Sequence, residues 1–449
     1  MAGTPSAQPS HSTAGGGSLR LGIAGLGTVG VGVLRLLADN ADLLRARAPA
    51  GLTVTAVSAR DASRDRGVDL SGYAFEADAG ALARRADVDV VVELIGGTSG
   101  AGADAVIEGL RAGKAVVTAN KALVAERGAE LAALIEAHGG ALYYEAAVAG
   151  GIPAIKGLRE GLAANRIKSV AGILNGTCNF ILTKMKDEKR AFDDVLQEAQ
   201  ALGYAEADPS FDIDGVDAAH KLAILSAVAF GGAPDFGAIE LAGIRDVQLV
   251  DIEMAEDFGY ALKLLGVAKP RVSGPGVRQY VAPVLVPQSN PIASVFDSFN
   301  AVVVRGEPVD EVMMRGRGAG EGPTASAVVA DILDIARGIN PPLFGALTAA
   351  AEEASGEADP AGPTGGASER RFWRLLVDDR PGVIAEVSKV LSTQGLSVEK
   401  IVQEDADGSR AHIFILTHAA PRSVADQVAK ALAALSCMIE APAVYGVED

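Results

Sequence analysis

The sequence predicts an α/β chain in three parts: a parallel sheet covered on both faces, an α+β region, and a compact C-terminal module. Three observations carry this. Near-continuous apolar runs alternate with helical stretches as far as about residue 147, the pattern of strands buried on both faces. From about 150 to 318 helices follow one another, and the long strands "QYVAPVLVP" and "NAVVVRG" come with no helix between them. Beyond a segment rich in Ala, Glu, Gly and Pro ("AEEASGEADPAGPTGGASE", 351–369), the order is strand, turn, helix, strand.

The opening residues 1–18 have little to bury and no basic segment ahead of an apolar stretch, so they are expected to be a disordered tail and not a secretory signal. Strands are expected from "LRLGIA", then at 52–58, 87–95, 115–119 and 141–147, with helices at 102–112 and 124–138. Further helices are expected near 177–186, 191–202, 214–231 and 251–261. The expected organisation is a first domain at 19–147 and a second at 148–318. A segment 319–340 then returns to the first, a linker covers 341–370, and the module covers 371–449.

Composition limits the function. No run approaches the roughly 18 apolar residues of a membrane span. Cys178 and Cys437 are the only cysteines, too few for a disulfide framework or a thiolate metal cage, which suits a reducing cytoplasm. A formal net charge of −17 argues against nucleic acid or an anionic membrane as partner.

Gly25, Gly27 and Gly30 form G-x-G-x-x-G directly after a strand and at the start of a helix. Gly25 permits the tight turn, Gly27 lets backbone approach a pyrophosphate, and Gly30 lets helix and strand pack closely. With Thr28 and Val29 between them, they present helix N-terminal N–H groups to phosphates, the sign of a Rossmann-like dinucleotide-binding domain. The second strand ends "AVSARD" without the usual ribose-binding acid. Arg60 is placed to pair with a 2′-phosphate, which favours NADP with NAD also accepted, while Asp61 offers itself to a ribose. The loop "IGGTSG", with Gly97, belongs to the same carboxyl edge and is expected to line the nicotinamide side.

The stretch "GYAEADPSFDIDGVDAAHKLAIL" (203–225) crowds Glu206, Asp208, Asp212, Asp214 and Asp217 ahead of a single Lys221. A calcium loop fails on spacing, because with Gly215 at the sixth position the twelfth is Lys221. "GLRAGKA" likewise fails as a phosphate loop. Asp217 and Lys221, four apart, share a helix face, which allows a surface ion pair or a lysine held as proton donor beside a hydride acceptor. His220 points about 100° away from Lys221 and is expected to be packed or on the surface, and Cys178 to be a small buried residue.

With "TANKALVA", "NGTCNFIL" and "GAGEGPTASAVVADI", that stretch makes residues 19–340 resemble homoserine dehydrogenase. The resemblance implies NAD(P)-linked interconversion of L-aspartate 4-semialdehyde and L-homoserine, in threonine, isoleucine and methionine biosynthesis. It implies Lys221 as acid/base with Asp217 beside it, Lys121 near cofactor and substrate, and Glu206 and Asp212 as substrate carboxylates. The substrate's α-ammonium wants carboxylates and its aldehyde oxygen wants a proton, which matches one acidic cluster with one lysine. "EAAVAGGIP" resembles the family's alkali-metal loop for sodium or potassium, with a Glu145 side-chain oxygen and the carbonyls of Val148, Gly150 and Ile152. From the residues alone it is equally a strand end followed by a Gly-rich turn. Gly320 and Glu321 are expected near the nicotinamide pocket.

"LVDDRPGVIAEVSKVLSTQGLSVEKIVQ" (376–403) resembles an ACT domain, a ferredoxin-like βαββαβ module, through the Asp379–Pro381–Gly382 turn. Val383, Ile384, Val387, Val390 and Leu391 are expected to form the helix's core-facing stripe. The resemblance implies threonine as effector, and the linker composition suggests a module that docks in more than one way. A pairing module without ligand is the other reading. The whole is expected to be a cytoplasmic homodimer or homotetramer with no kinase fused ahead of it. A non-catalytic cofactor and amino-acid sensor, or a dehydrogenase that deaminates the α-carbon, are the rivals; the first has no need of the Glu206–Lys221 cluster.

Overall fold

A computed structural model describes residues 18–48, 50–271, 275–345 and 368–448. The expected tail, apart from Ser18, and most of the expected linker lie outside the described residues. The chain divides into two compact units. The first holds the chain through Val170, Ala219–Ile239, and the segment from Asn300 up to the linker; the second holds Ala171–Ala218, Glu240–Phe299 and the C-terminal module. The expected single domain 148–318 is thus shared between the two, the division falling inside a strand and a helix.

In the first unit, β1 (Leu19–Ala24), β2 (Leu52–Ser58), β3 (Ala74–Glu76), β4 (Val90–Glu93), β5 (Ala115–Thr118) and β6 (Ala141–Tyr143) form a six-stranded sheet. Its order is β3-β2-β1-β4-β5-β6 with every pair parallel. Helices α1 (Thr28–Asp39), α2 (Ala41–Arg47), α3 (Ala79–Arg84), α4 (Ala101–Arg111) and α5 (Lys121–His138) connect the strands. The central strands are near-continuously apolar because both faces are covered: Leu21, Ile23, Val92 and Val117 are fully buried. The strand order reverses between β1 and β4, which places a ligand crevice at their carboxyl ends.

Two expected strands are shorter than their apolar runs. The 87–95 run pairs only over Val90–Glu93, because Gly96 and Gly97 take left-handed φ values of 88° and 92°. The 141–147 run leaves the sheet after Tyr143 and makes a 3-10 turn at Glu145–Ala147, where the Glu145 N–H donates to Asp331 instead of to a strand.

The chain continues through α6 (Ala154–Lys156), β7 (Arg166–Ile173), α7 (Gly176–Glu188), α8 (Phe192–Ala201), α9 (Ser210–Ile213) and α10 (Val216–Phe230). Next come β8 (Glu240–Leu241), α11 (Leu249–Asp257), β9 (Tyr260–Pro270), β10 (Val277–Pro287), β11 (Phe299–Glu307), β12 (Asp310–Arg317) and α12 (Glu321–Ala336). The helix expected to reach 261 stops at Asp257: Gly259, at φ 85°, turns the chain into β9, which pairs antiparallel with β10 along its whole length. The apolar spacing of "YALKLLGVAKP" reads equally as helix, so its pattern alone does not reveal the strand.

In the first unit α12 lies against α1. A Cβ on Gly32 would come within 2.5 Å of Glu321, and Arg35 pairs with Glu321 at 2.9 Å.

The C-terminal module belongs to the second unit. β13 (Ser368–Glu369), β14 (Arg371–Asp378), α13 (Val383–Thr393), β15 (Val398–Asp405), β16 (Arg410–Thr417), β17 (Ala420–Pro421), α14 (Arg422–Ala433) and β18 (Ala443–Val447) give βαββαβ with sheet order β18-β14-β16-β15. Trp373, Val387, Leu391, Ile413, Ile415, Val428 and Leu432 fill its core. Ile384 is not part of the core stripe; it is 44% exposed, since one residue past Val383 rotates about 100° off the buried face. The module is joined to the rest of its unit by β18, which also pairs in parallel with β10, through Val284↔Gly446 and Leu285↔Val447. Arg374 reinforces this with a bond of 2.7 Å to Asp251, which also accepts from the Tyr445 hydroxyl at 2.8 Å; Arg374 and Asp251 are both buried.

Candidate active site

At the carboxyl end of β1 each glycine has its own geometric reason. Gly25 takes φ 103°, and a Cβ there would sit 2.7 Å from the Leu94 carbonyl. On Gly30 a Cβ would lie 1.9 Å from the Gly25 oxygen, so only glycine lets α1 begin so close to the turn. Gly27 meets nothing within 4 Å. That exposed space over the start of α1, beside exposed Thr28, is the cradle a pyrophosphate requires, and a side chain at Gly27 would fill it. The residues present therefore fit a dinucleotide.

Arg60 lies exposed just past β2. Asp61 beside it is turned inward on its own loop: its carboxylate accepts from the Ser63 hydroxyl at 2.7 Å and N–H at 2.8 Å, which lowers its pKa. Arg66, which no motif signals, donates to the Leu26 carbonyl at 3.2 Å and so ties this loop to the glycine turn.

The neighbouring strand ends β4 and β5 carry a polar knot that the sequence reading did not anticipate. Glu93, fully buried, accepts from the Ile95 and Gly96 N–H groups at 2.7 Å each and from the Thr118 hydroxyl. Burial raises its pKa, against the opposing effect of these bonds. Asn120 caps α5 through the Leu123 N–H and donates to the Gly97 carbonyl at 2.7 Å, and Arg127 holds the Thr98 carbonyl at 2.8 Å. The glycine loop is therefore clamped, and Lys121 stands next to the clamp as the first residue of α5.

Asp217 and Lys221 lie one turn apart on α10, 5% and 9% exposed. Such burial is not that of a solvent-facing ion pair. Within the second unit the bracket is Asn175: its Nδ2 donates to Asp212 at 2.7 Å and Asp217 at 2.8 Å, while its Oδ1 accepts the Cys178 N–H and caps α7. Two carboxylates are thereby fixed on one amide. Glu206 is exposed on the loop after α8, where its carbonyl accepts from Gln200. His220 is packed as expected, stacked on Phe236 at 4.4 Å and 2.9 Å from Glu126, and Cys178 is fully buried.

In the "EAAVAGGIP" loop, Ala149 and Gly150 both take φ 54°, and the two Glu145 carboxylate oxygens accept the Ile155 and Lys156 N–H groups at 2.9 and 2.8 Å. Both Glu145 oxygens thus also hold the first turn of α6. Burial, then the nearby Asp331, pushes Glu145 up to about 7; burial pushes Asp331 up to about 6, with Lys156 at 3.1 Å opposing it. The Ile152 carbonyl accepts from Ala154 at 2.7 Å. Gly320, at φ 122°, caps α12 at Glu321.

Comparison with known proteins agrees along the chain. Residues 25–145 match the family model for the homoserine dehydrogenase NAD binding domain, 153–333 that for homoserine dehydrogenase, and 374–437 that for the ACT domain. The homoserine dehydrogenase of Neisseria gonorrhoeae is 45% identical over 427 residues, covering 94% of this chain and 96% of that protein. The crystal structure of a homoserine dehydrogenase from Thiobacillus denitrificans superposes with a TM-score of 0.88 at 39% identity, covering 96% of this chain and 98% of that one. A hyperthermophilic archaeal homoserine dehydrogenase solved in complex with NADPH matches with a TM-score of 0.59 at 26% identity, over 71% of this chain and 97% of its own. The chain belongs to the homoserine dehydrogenase family, NAD(P)-dependent oxidoreductases that act on a CH–OH group, and carries a C-terminal ACT domain.

Proposed function

We propose that Lys221 is the acid/base of the homoserine dehydrogenase reaction and that Asp217, Asp212 and Glu206 recognise the α-ammonium end of the substrate. The observation that carries this reading is the Asn175 bracket, which fixes Asp212 and Asp217 while Lys221 follows one turn later on the same helix. The bound nicotinamide supplies or accepts the hydride. Lys221 gives a proton to the aldehyde oxygen in reduction and takes it from the hydroxyl in oxidation. Lys121, at the N-terminus of α5, contributes positive charge toward the oxygen and the substrate carboxylate.

The glycine turn, Thr28, Val29, Gly97 and Gly320 hold the dinucleotide. NADP is the preferred form with NAD accepted: Arg60, exposed just past β2, pairs with the 2′-phosphate, a reading supported by the engagement of the Asp61 carboxylate with Ser63. The archaeal relative bound to NADPH supports the same choice. A sodium or potassium ion sits in the 145–152 loop, held by a Glu145 side-chain oxygen and the carbonyls of Val148, Gly150 and Ile152, since an oxygen that accepts one N–H keeps a lone pair for a cation. Threonine acts through the ACT domain, and the enzyme works in the cytoplasm as a homodimer or homotetramer.

Incubation with L-homoserine and NADP should yield L-aspartate 4-semialdehyde with one NADPH per product. Release of ammonia would instead indicate oxidation at the α-carbon and overturn this reading.

A further inference from the structure

The second unit contains a cavity of 720 Å³ that the reaction does not use. It lies along the edge of β10, which has two parallel partners on that side: β8 at Tyr280–Val281 and β18 at Val284–Leu285. Between them Pro283 has no N–H to give, so the ladder breaks and the gap opens. Helix α14 and the start of β14 close it from the module's side.

Its wall is charged in both senses, with four arginines and six carboxylates. Most are paired: Arg278 with Glu369, Arg374 with Glu440, and Arg422 with Glu240. Two departures stand out. Arg371 reaches Glu369 at 3.2 Å with one nitrogen, but its buried Nε has no hydrogen-bond partner among the described residues. Asp426, exposed on α14, reaches Arg422 only at 4.0 Å. A free anion would face the acidic excess, and a bare cation would face the arginines. A molecule carrying both charges a few ångströms apart suits this wall. The volume lies within the about 300–1,000 Å³ of small-molecule sites, room for an amino acid and its ordered waters.

The cavity wall also touches the substrate carboxylates' own support. Gly243 packs so tightly on Ile213 and Asp214 that a Cβ would lie 2.2 Å from the Ile213 oxygen. The Ile244 N–H donates to that same oxygen at 2.8 Å, and Arg245 pairs with Asp214. The segment Ile213–Asp214 lies between Asp212 and Asp217, the two residues that Asn175 brackets.

We infer that this cavity, between the ACT domain and β8–β10 of the same chain, binds a free α-amino acid, with Arg371 taking its carboxylate and Asp426 its ammonium. The bound molecule shifts the 240–245 segment and with it the Asp212–Asp217 bracket, so that it acts on substrate affinity and leaves cofactor affinity unchanged. This rests on the regulatory reading above and assigns the effector a site away from the Asp379–Gly382 turn, which lines a separate cavity. A ligand changes such an equilibrium only by its differential affinity for the two arrangements.

The test is calorimetry of the full-length protein with L-threonine, alongside its inhibition of homoserine oxidation. Arg371→Gln should weaken binding roughly 10- to 100-fold, the range for a lost bond to a charged group, with uninhibited kcat and KM unchanged. Asp426→Asn, an exposed substitution that leaves folding intact, should weaken it in the same direction, while Asp379→Ala should leave it alone. In the wild type, threonine should raise the KM for homoserine and not that for NADP. Wild-type-like inhibition of both cavity variants overturns the proposal and points to threonine at the substrate site, while loss of binding in Asp379→Ala alone overturns it in favour of the turn. A wild-type enzyme that neither binds nor responds to threonine overturns the regulatory reading and the proposal together.

Discussion

Replacing Asn175 with alanine removes three bonds at once: those to Asp212 and Asp217, at 2.7 and 2.8 Å, and the cap on α7. The lost cap costs about 1 kcal/mol of stability. Each bond to an ionised carboxylate is worth about 1.5–3 kcal/mol, and the buried Asp217 is left with one donor fewer. If about 3 kcal/mol of that orientation is expressed in the transition state, kcat/KM for semialdehyde falls roughly 10²-fold. Steady-state kinetics should place the loss in the substrate terms, with NADPH affinity by titration unchanged. Asn175→Ser separates the two effects, because serine is a good N-cap yet too short to bracket both carboxylates. It should recover thermal stability without recovering activity. A serine variant with restored turnover, or an alanine variant near wild type, would refute the idea that the bracket positions the substrate.

Other perturbations test the remaining parts. Gly27→Ala should fold normally, as its Cβ meets nothing within 4 Å, yet lose NADPH affinity by titration; Gly30→Ala, with a Cβ 1.9 Å from the Gly25 oxygen, should also disturb the fold by circular dichroism. Arg60→Ala should weaken NADPH far more than NADH, and equal losses would assign the arginine a structural role. Lys263, buried with its ammonium on the Val295 carbonyl at 2.6 Å, is pushed down to about 8 by burial and then by Lys186. A lysine depressed in the folded state contributes stability above its ordinary 10.5 that is lost as pH falls through about 8. Urea unfolding should therefore show stability rising with pH across that window, and Lys263→Met should remove this component of the slope.

The glycine turn and the Asp217–Lys221 pair were legible because each is local: one follows a strand into a helix, the other is a single helical turn. What the sequence hid is contact between distant segments. Asn175 reads in "NGTCNF" as a helix cap, and nothing in its surroundings announces that its amide will hold residues beyond position 210. Glu93 looks like the polar end of a strand, and its role appears only when Gly96 and Thr118 converge on it. The module's docking was hidden for a related reason, since the pairing of β18 with β10 depends on a register that apolar content does not encode. The β9 strand escaped notice because a buried strand and a buried helix segment share the same apolar pattern.

Turnover of Lys221→Met with L-aspartate 4-semialdehyde and NADPH tests the account most directly. Removing the acid/base should lower kcat by roughly 10²–10⁴-fold while NADPH binds as in the wild type. Near-normal turnover, or a variant that fails only because it no longer binds NADPH, would contradict it.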